Sequence, residues 1–505
     1  MGGFPVPEKY DALLNRLQQI EDLNNSIAIL NWDLEVKMPE GGSKARARQL
    51  STLSRINHEM RTSDEMRRLL EAAESEMSGA AYDSDEAALL RVARHEFDQQ
   101  TKLPTDFVAE FTQLTAEAHE IWAKARASSD FRHFEPALTK INDMVMRQAD
   151  MLGYSDHPYD ALIDQYERGM TAAEVRRIFE SHKPALVDLI GRIGKVEDRV
   201  SADVLHRDFD IDKQREFGLW VIEKFGFDFK RGRQDISVHP FCTSFSRNDV
   251  RLTTRFEKSF LNPALFGLMH EAGHGMYEQG SAQAYDGTPL AGGTSLGVHE
   301  SQSRMWENIV GRSRHFWQWA YPKLQEKFPQ LNDTTLDSFY RAINHVERQF
   351  IRVEADEATY NLHIMLRFEL ECDMVTGKVK VGDLPEEWNE RFEAYLGVTP
   401  PNDKLGVLQD VHWSGGGIGY FPTYALGNLL SVQYYNTALN SHPNLPEEFA
   451  QGKFDTLLTW LNENIHRHGR KYTSQELTQR VTGGPIDPAP YVAYLEEKYT
   501  DVYSL

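Results

Sequence analysis

Along the first 200 residues, Leu, Ala, Ile and Val recur every three or four positions among Glu, Lys and Arg. This is the spacing of amphipathic helices that bury one stripe. It predicts helices over 10–31, 42–60, 84–100 and 115–127, with Pro or Gly punctuating them. His95-Glu96 and His119-Glu120 fall here without a second His four residues on, and read as ordinary polar helix residues. The pattern changes over 236–256. There Val238, Phe241, Phe245, Val250, Leu252, Thr253 and Thr254 favour strand, and Ser246-Arg247-Asn248-Asp249 is a turn signal, so the stretch predicts a β-hairpin. From 334 to 371 there is neither Gly nor Pro, which predicts one very long helix or two joined by a subtle break. No internal repeat or low-complexity linker interrupts the chain, so one helical body over 1–505 is expected, without separable domains.

Just after the hairpin, Asn262-Pro263 reads as a helix start, with Asn as the N-cap and Pro at the first helical position. Leu265, Leu268, Met269, Ala272 and Met276 then mark a buried stripe, and Phe266, His270, His274 and Tyr277 form the stripe beside it. Gly280 is the expected stop. The pentapeptide His270-Glu271-Ala272-Gly273-His274 therefore places two imidazoles one above the other on a helix face, where they can share one metal ion. Glu271 points about a quarter-turn away, suited to take a proton from water rather than to ligate. This is the spacing of a metallopeptidase.

A catalytic zinc site needs a third protein ligand and keeps one position open. The candidate is Glu300, in His299-Glu300-Ser301-Gln302-Ser303-Arg304. It follows a loop containing Asp286-Gly287-Thr288-Pro289 and Gly292-Gly293, and opens a helical stretch with Met305, Trp306, Ile309 and Val310. The layout of metal-binding helix, loop and second helix giving Glu is that of the His-His-Glu zinc peptidases. A lone helix Glu is otherwise a solvated residue.

Composition narrows the partners. The chain has 505 residues, 41% hydrophobic and 26% charged, with a formal net charge of −21. That balance argues against nucleic acid and anionic membranes, both of which select basic surfaces, and it favours solubility. Cys242 and Cys372 are the only cysteines and form no framework or Cys-rich metal motif. Residues 1–7 carry neither a basic start nor an apolar run, and Val6 breaks the myristoylation pattern. No run approaches the length of apolar residues a membrane span needs. A cytoplasmic location is the expectation.

Further motifs occur in order: His239-Pro240-Phe241, Asp249-Val250-Arg251-Leu252-Thr253, the zinc pentapeptide, His299-Glu300-Ser301, Ile351-Arg352-Val353-Glu354-Ala355-Asp356 and Gly406-Val407-Leu408-Gln409-Asp410-Val411-His412-Trp413. With Trp32-Asp33, Met38-Pro39, Tyr159-Asp160-Ala161-Leu162 and Tyr420-Phe421-Pro422-Thr423-Tyr424, the chain resembles the M32 metallocarboxypeptidases, the carboxypeptidase Taq family, along essentially its whole length. The resemblance implies a mainly α fold with a long substrate groove, like neurolysin and angiotensin-converting enzyme, and a small sheet beside the zinc helix. It also implies release of single residues from peptide C-termini, one zinc (or cobalt) ion per subunit, and a homodimer. In site residues it implies metal ligands His270, His274 and Glu300, general base Glu271, and substrate contacts from Arg352, Arg251, His239, Gln409 and Asp410.

An exopeptidase acting on C-termini needs a cation for the free carboxylate, and the arginine fork fits one with two parallel hydrogen bonds. Arg352 is the first choice and Arg251, on the expected hairpin, the second. Taken without the resemblance, Arg352 reads as a helix-face partner of Asp356, four residues on. His412, Tyr420 and Tyr424 are candidates to stabilise the oxyanion, with the tyrosines equally open to reading as aromatic core. Ser414-Gly415-Gly416-Gly417-Ile418-Gly419 reads as a flexible loop that approaches or covers substrate. Two other functions fit the motifs. One is an oligopeptidase or dipeptidyl carboxypeptidase using the same metal centre; the other is a helical peptide-binding protein that retains the metal without turnover, against which the intact Glu271 speaks.

Overall fold

Helices run from Glu8–Val36 to Ala489–Tyr503 in the computed structural model, which describes residues 8–505. Residues 1–7, on which the reading of a leader and a lipidation site rests, lie outside that range. The expected mainly α class holds, with one three-stranded sheet among the described residues. The four N-terminal runs are the helices Glu8–Val36, Ser43–Thr62, Asp85–Lys102 and Thr105–Ser128. Ser84 caps the third by accepting from the Ala87 N–H at 3.1 Å, which is why that helix starts one residue later than its polar pattern.

The apolar stripes meet in two cores. Leu13, Leu17, Leu70, Ala88 and Leu89 of the N-terminal helices bury one another with Tyr285 and Leu290. The remaining helices share a much larger core, at whose centre every residue of the Glu357–Val375 helix except Glu369 is buried. The buried residues of this helix are apolar on every side, with Glu357, Thr359, Asn361, His363, Arg367, Glu371 and Asp373 buried among them, as expected of an element with neighbours all round.

The sheet consists of β1 (Gly232–Ile236), β2 (Cys242–Ser246) and β3 (Asp249–Thr254), in the order β1-β3-β2. β2 and β3 form the expected antiparallel hairpin about the 246–249 turn, and β1 adds to β3 in parallel. The first strand thus lies earlier than the strand-favouring pattern suggested. Val238, counted toward it, is 70% exposed in the connection beyond β1.

The glycine-free run from 334 to 371 is neither one helix nor two joined by a minor break. Leu336–Ile343 and Glu357–Val375 are separated by thirteen residues that contain only the short 3-10 turn Arg352–Glu354. Side chains from elsewhere terminate what local pattern would continue. Asn344 donates to the Tyr340 and Arg312 carbonyls, and Gln409 accepts from the Arg352 N–H and donates to the Phe350 carbonyl. Asp356 then caps the next helix at Ala358 and Thr359. The helix-face pairing of Arg352 with Asp356 is therefore absent.

The Asn262–Gly280 helix stops where expected but begins differently. Leu261, already helical at φ −76° and ψ −39°, occupies the cap position, so Asn262 lies inside the first turn and its Oδ1 is buried without a partner. This helix lies against β3 and against the Leu296–Arg304 helix. A Cβ at Gly273 would meet the Gln302 carbonyl oxygen at 2.6 Å, so only glycine lets the two helices come this close. Gly427 of the Pro422–Ser441 helix does the same on the far side, where a Cβ would lie 2.5 Å from the Glu300 Cβ. The helix bearing Glu300 is thereby clamped between two others.

Candidate metal centre

His270 and His274 stand one turn apart with ring centroids 4.9 Å from each other. Glu300 reaches them from the neighbouring helix: its Oε2 lies 3.5 Å from His270 Nε2 and 3.4 Å from His274 Nε2. These three side chains form the group able to hold a metal ion among the described residues, with ligand atoms within 4.8 Å of one another. A nitrogen–nitrogen–oxygen set of this kind suits a zinc-like divalent ion.

The outward ring nitrogens are committed elsewhere, and this fixes which nitrogens face inward. His270 Nδ1 lies 2.9 Å from Glu307 Oε2 and donates to it. His274 Nδ1 lies 2.7 Å from His299 Nδ1, while His299 Nε2 lies 2.7 Å from Glu278 Oε1. With the Glu278 carboxylate accepting from His299 Nε2–H, His299 Nδ1 becomes the acceptor and His274 Nδ1–H the donor. His274 Nε2 is then left with its lone pair toward Glu300. Glu278 is itself tied to β2 by the Ser244 hydroxyl at 2.9 Å, so the sheet braces this ligand.

Arg304 completes the support by bonding Glu300 Oε1 at 2.7 Å and Glu307 Oε2 at 3.1 Å. Glu307 sits on a π-helical turn, Met305–Val310, that continues the Glu300 helix. Burial opposes the charge on both carboxylates, yet Arg304 and His270 hold Glu300 well below the usual range and Glu307 at about 2. Burial lowers His274 to about 4 and so keeps it neutral. Glu271 is 6% exposed, and its burial, reinforced by Glu300 and Glu307, pushes it up to about 7. Burial pushes up the Cys242 thiol on the edge strand β2, and the charges of Glu271 and Glu278 add to it.

A second cluster adjoins the first. Arg352 donates from Nε and Nη2 to Asp410 Oδ1 at 3.0 and 2.9 Å, and from Nη1 to the Tyr360 hydroxyl at 2.8 Å. Arg367 takes the other oxygen, Asp410 Oδ2, at 2.6 Å. Two buried guanidiniums thus share one carboxylate, which is held far below its usual range, and the trio keeps one net positive charge. The neighbouring histidines do not add to it, because burial keeps His412 at about 4 and His363 well below the usual imidazole range. Arg352 also lies over the Tyr424 ring at 4.8 Å. Arg304 lies over Tyr360 at 4.4 Å, linking this cluster to the metal ligands.

His412, Tyr420 and Tyr424 gather between the two clusters. Tyr424 Oη is 3.4 Å from His412 Nε2, and the Tyr420 and Tyr424 rings are 5.3 Å apart. Burial raises both phenols and the Glu300 carboxylate adds to it, so both stay protonated. The glycine-rich segment before Tyr420 is not the free loop its composition suggests. Glu371 accepts from Trp413 Nε1 at 2.9 Å and from the Gly419 N–H at 3.1 Å, and Tyr159 donates to it at 2.7 Å. One buried carboxylate so pins the segment at both ends.

Other expected site residues lie apart or are engaged. Arg251 bonds Asp249 through Nε and Nη2 at 2.9 Å each and stacks on Trp32 at 4.3 Å. His239 is exposed in the connection between β1 and β2. The Gln409 amide is used on backbone. Sequence reading assigned no role to Glu307, Glu278, Tyr360, Arg367 or Glu371. Glu307, seven residues beyond Glu300, and Glu278, four beyond His274 on its helix, had a local signal; the others are brought in by tertiary contacts.

The family profile of Carboxypeptidase Taq (M32) metallopeptidase matches residues 12–499. Thermostable carboxypeptidase 1 of Thermus thermophilus is 40% identical over 503 residues, covering 98% of this chain and 99% of that one. Carboxypeptidase 1 of Bacillus subtilis is 37% identical over 490 residues, 97% of each. The crystal structure of the M32 carboxypeptidase from Deinococcus radiodurans superposes with a TM-score of 0.95 at 41% identity, over 99% of this chain and 100% of that one.

Proposed function

Because the chain belongs to the carboxypeptidase Taq (M32) metallopeptidases and is a metal-dependent carboxypeptidase, we propose that His270, His274 and Glu300 hold its metal and that Arg352 selects the free C-terminus. The convergence of His270 Nε2, His274 Nε2 and Glu300 Oε2 beside the buried Glu271 carries the reading. Zinc is the ion the donor set suits, with cobalt the alternative. A divalent ion held there supplies Lewis-acid chemistry, polarising the peptide carbonyl and easing deprotonation of water.

The chain's own groups do the rest. Glu271, with a pKa near neutrality, accepts the proton of the attacking water and returns it to the departing amine. Tyr420 or His412 donates to the oxygen on which charge develops; a protonated phenol and a neutral imidazole are both able to donate. The uncompensated positive charge shared by Arg352, Arg367 and Asp410 is what a terminal carboxylate neutralises, with Tyr424 as its neighbour. β2, an edge strand tied to the helix bearing Glu271 through Ser244 and Glu278, is the candidate to align an extended peptide. His239, Gln409, Asp410 and Arg251 enter this reading as shapers of the groove wall rather than as free donors. In the same reading the whole chain is one catalytic domain, acting as a cytoplasmic homodimer; its support is the family match along the chain. No helix among the described residues is long and apolar enough to cross a membrane.

The test uses the purified, metal-loaded protein, an N-blocked peptide and its C-terminally amidated twin, followed by mass spectrometry. Stepwise loss of single residues from the free acid is expected, with at most a small rate on its amidated twin. Equal internal cleavage of both peptides overturns the role of Arg352 and points to an oligopeptidase.

A further inference from the structure

A second cavity of about 320 Å³ opens beside the Asp85–Lys102 helix, between Tyr166 and the segment around Arg470. It is connected to the site by aromatic rings. Tyr166, which forms part of its wall, packs edge-on against Tyr420 at 5.1 Å. Tyr420 in turn lies 5.3 Å from Tyr424, which lies under the Arg352 guanidinium at 4.8 Å. A row of rings so leads from the arginine cluster, past the tyrosines flanking the metal ligands, to the cavity wall.

The charges lining the cavity are unevenly satisfied. Every acid there has a partner. Glu96 accepts from Arg470 at 2.6 Å, Asp164 lies 3.5 Å from His95 and accepts from the Gly169 N–H, and Glu476 accepts from Tyr82 and from the Thr473 N–H. Two arginines have no carboxylate. Arg91 donates only to the carbonyls of Tyr82 and Lys471. Arg168 makes no hydrogen bond or ion pair among the described residues, though it is half-buried; burial lowers its pKa, the Asp164 and Glu476 carboxylates act against this, and the charges of Arg470 and Arg91 act with it. A partly desolvated guanidinium whose N–H groups bond no carboxylate directly, facing an empty volume, can take an anion.

We propose that this cavity is an acidic-residue subsite of the peptide groove, in which the carboxylate of a Glu or Asp side chain upstream of the scissile bond is held by Arg168 and Arg91. The inference rests on the reading that the C-terminal carboxylate sits at Arg352. Peptide preceding the cleaved bond then runs past Tyr420 and Tyr166. Steps of about 5 Å between successive rings put the cavity within reach of a residue roughly three to five positions from the C-terminus of an extended peptide.

The experiment uses N-acetylated heptapeptides ending in the same residue, with Glu, Gln or Lys at the third, fourth or fifth position from the C-terminus. At one of these positions kcat/KM for Glu is expected to exceed that for Gln by about tenfold, the scale of one charge-assisted hydrogen bond. Arg168→Met should bring the Glu-to-Gln ratio to about one, and Arg168→Glu should invert it in favour of Lys, which misfolding cannot do. Equal rates for Glu and Gln at all three positions overturn the proposal. If even the Gln peptides release no terminal residue, the carboxypeptidase assignment fails separately. Binding of the fluorescein-labelled peptides then decides: a Glu preference removed by Arg168→Met supports the subsite, and no preference overturns it. Inorganic phosphate should suppress the Glu advantage by competition. If instead phosphate acts through Arg168 on the Gln peptides while Glu confers no advantage, the cavity serves a free anion and the subsite is overturned.

Discussion

The two charged clusters of the site are built in opposite ways. The His270–His274–Glu300 group rests on two helices and is spaced by helical geometry, with each outward nitrogen braced by a further side chain. The Arg352–Asp410–Arg367 group joins a 3-10 turn, an irregular segment and a buried helix, and only tertiary contacts bring it together. The first gathers four carboxylates, Glu271, Glu278, Glu300 and Glu307, around the guanidiniums of Arg304 and Arg312. The second has one cation more than its carboxylate requires. An acidic pocket thus lies beside a basic one, and the proposed reading of the site, metal in the first and terminal carboxylate in the second, rests on that adjacency.

The comparison breaks first at Glu271. Glu271→Gln keeps the ligands and their braces, so metal content measured by mass spectrometry should stay at that of the unaltered protein. kcat should fall by about 10³, the scale of losing a positioned general base. Retained activity would remove Glu271 from the chemistry and reduce the acidic cluster to a metal holder.

Arg352→Met tests the basic cluster. Asp410 keeps Arg367, so the fold should persist, but the surplus charge is gone. kcat/KM on a free-acid peptide should fall by about 100-fold, while the small rate on the amidated twin stays unchanged. If both peptides lose rate equally, the residue supports structure and the terminal carboxylate binds elsewhere.

What could be read in the sequence follows the same divide. The histidine pair, Glu271 between them and the helix that carries all three follow from the i, i+4 spacing and a stripe ending at Gly280, because helix geometry is local, whereas Glu300 on the next helix was named by its motif. The hairpin followed from its turn, whereas β1 did not, since a strand added in parallel has no turn to announce it. The break between 343 and 357 was hidden because Gln409, more than fifty residues away, supplies the hydrogen bonds that end regular structure there. Arg352 was named by its motif, but its partner Asp410 rather than Asp356 emerges only in three dimensions.

Between the two clusters, Tyr420→Phe and Tyr424→Phe separate oxyanion donation from packing. The donor variant should lose about tenfold or more in kcat with little change in KM. The other tyrosine, under Arg352, should act mainly on KM. Equal small losses from both would pass the donor role to His412.

The smallest effect concerns Glu371, which braces the segment carrying His412 and Tyr420. Burial pushes its carboxyl up to about 7, against the hydrogen bonds from Tyr159, Trp413 and Gly419 that favour ionisation. In its neutral form the carboxyl can still donate, because the Tyr159 hydroxyl can turn to accept. The unfolded chain releases this proton near the ordinary carboxylate value while the folded chain retains it. The folded state therefore binds more protons between roughly pH 4.5 and 7, and the Glu371 contribution to stability falls as pH rises through that window, by at most about 1.4 kcal/mol per pH unit. Glu371→Gln has no such proton to lose. Its melting temperature, compared with that of the unaltered protein at pH 5 and pH 8, should improve in relative terms at the higher pH. A difference between the two proteins that is the same at both pH values would mean that the carboxyl ionises normally and that the segment is held by packing alone.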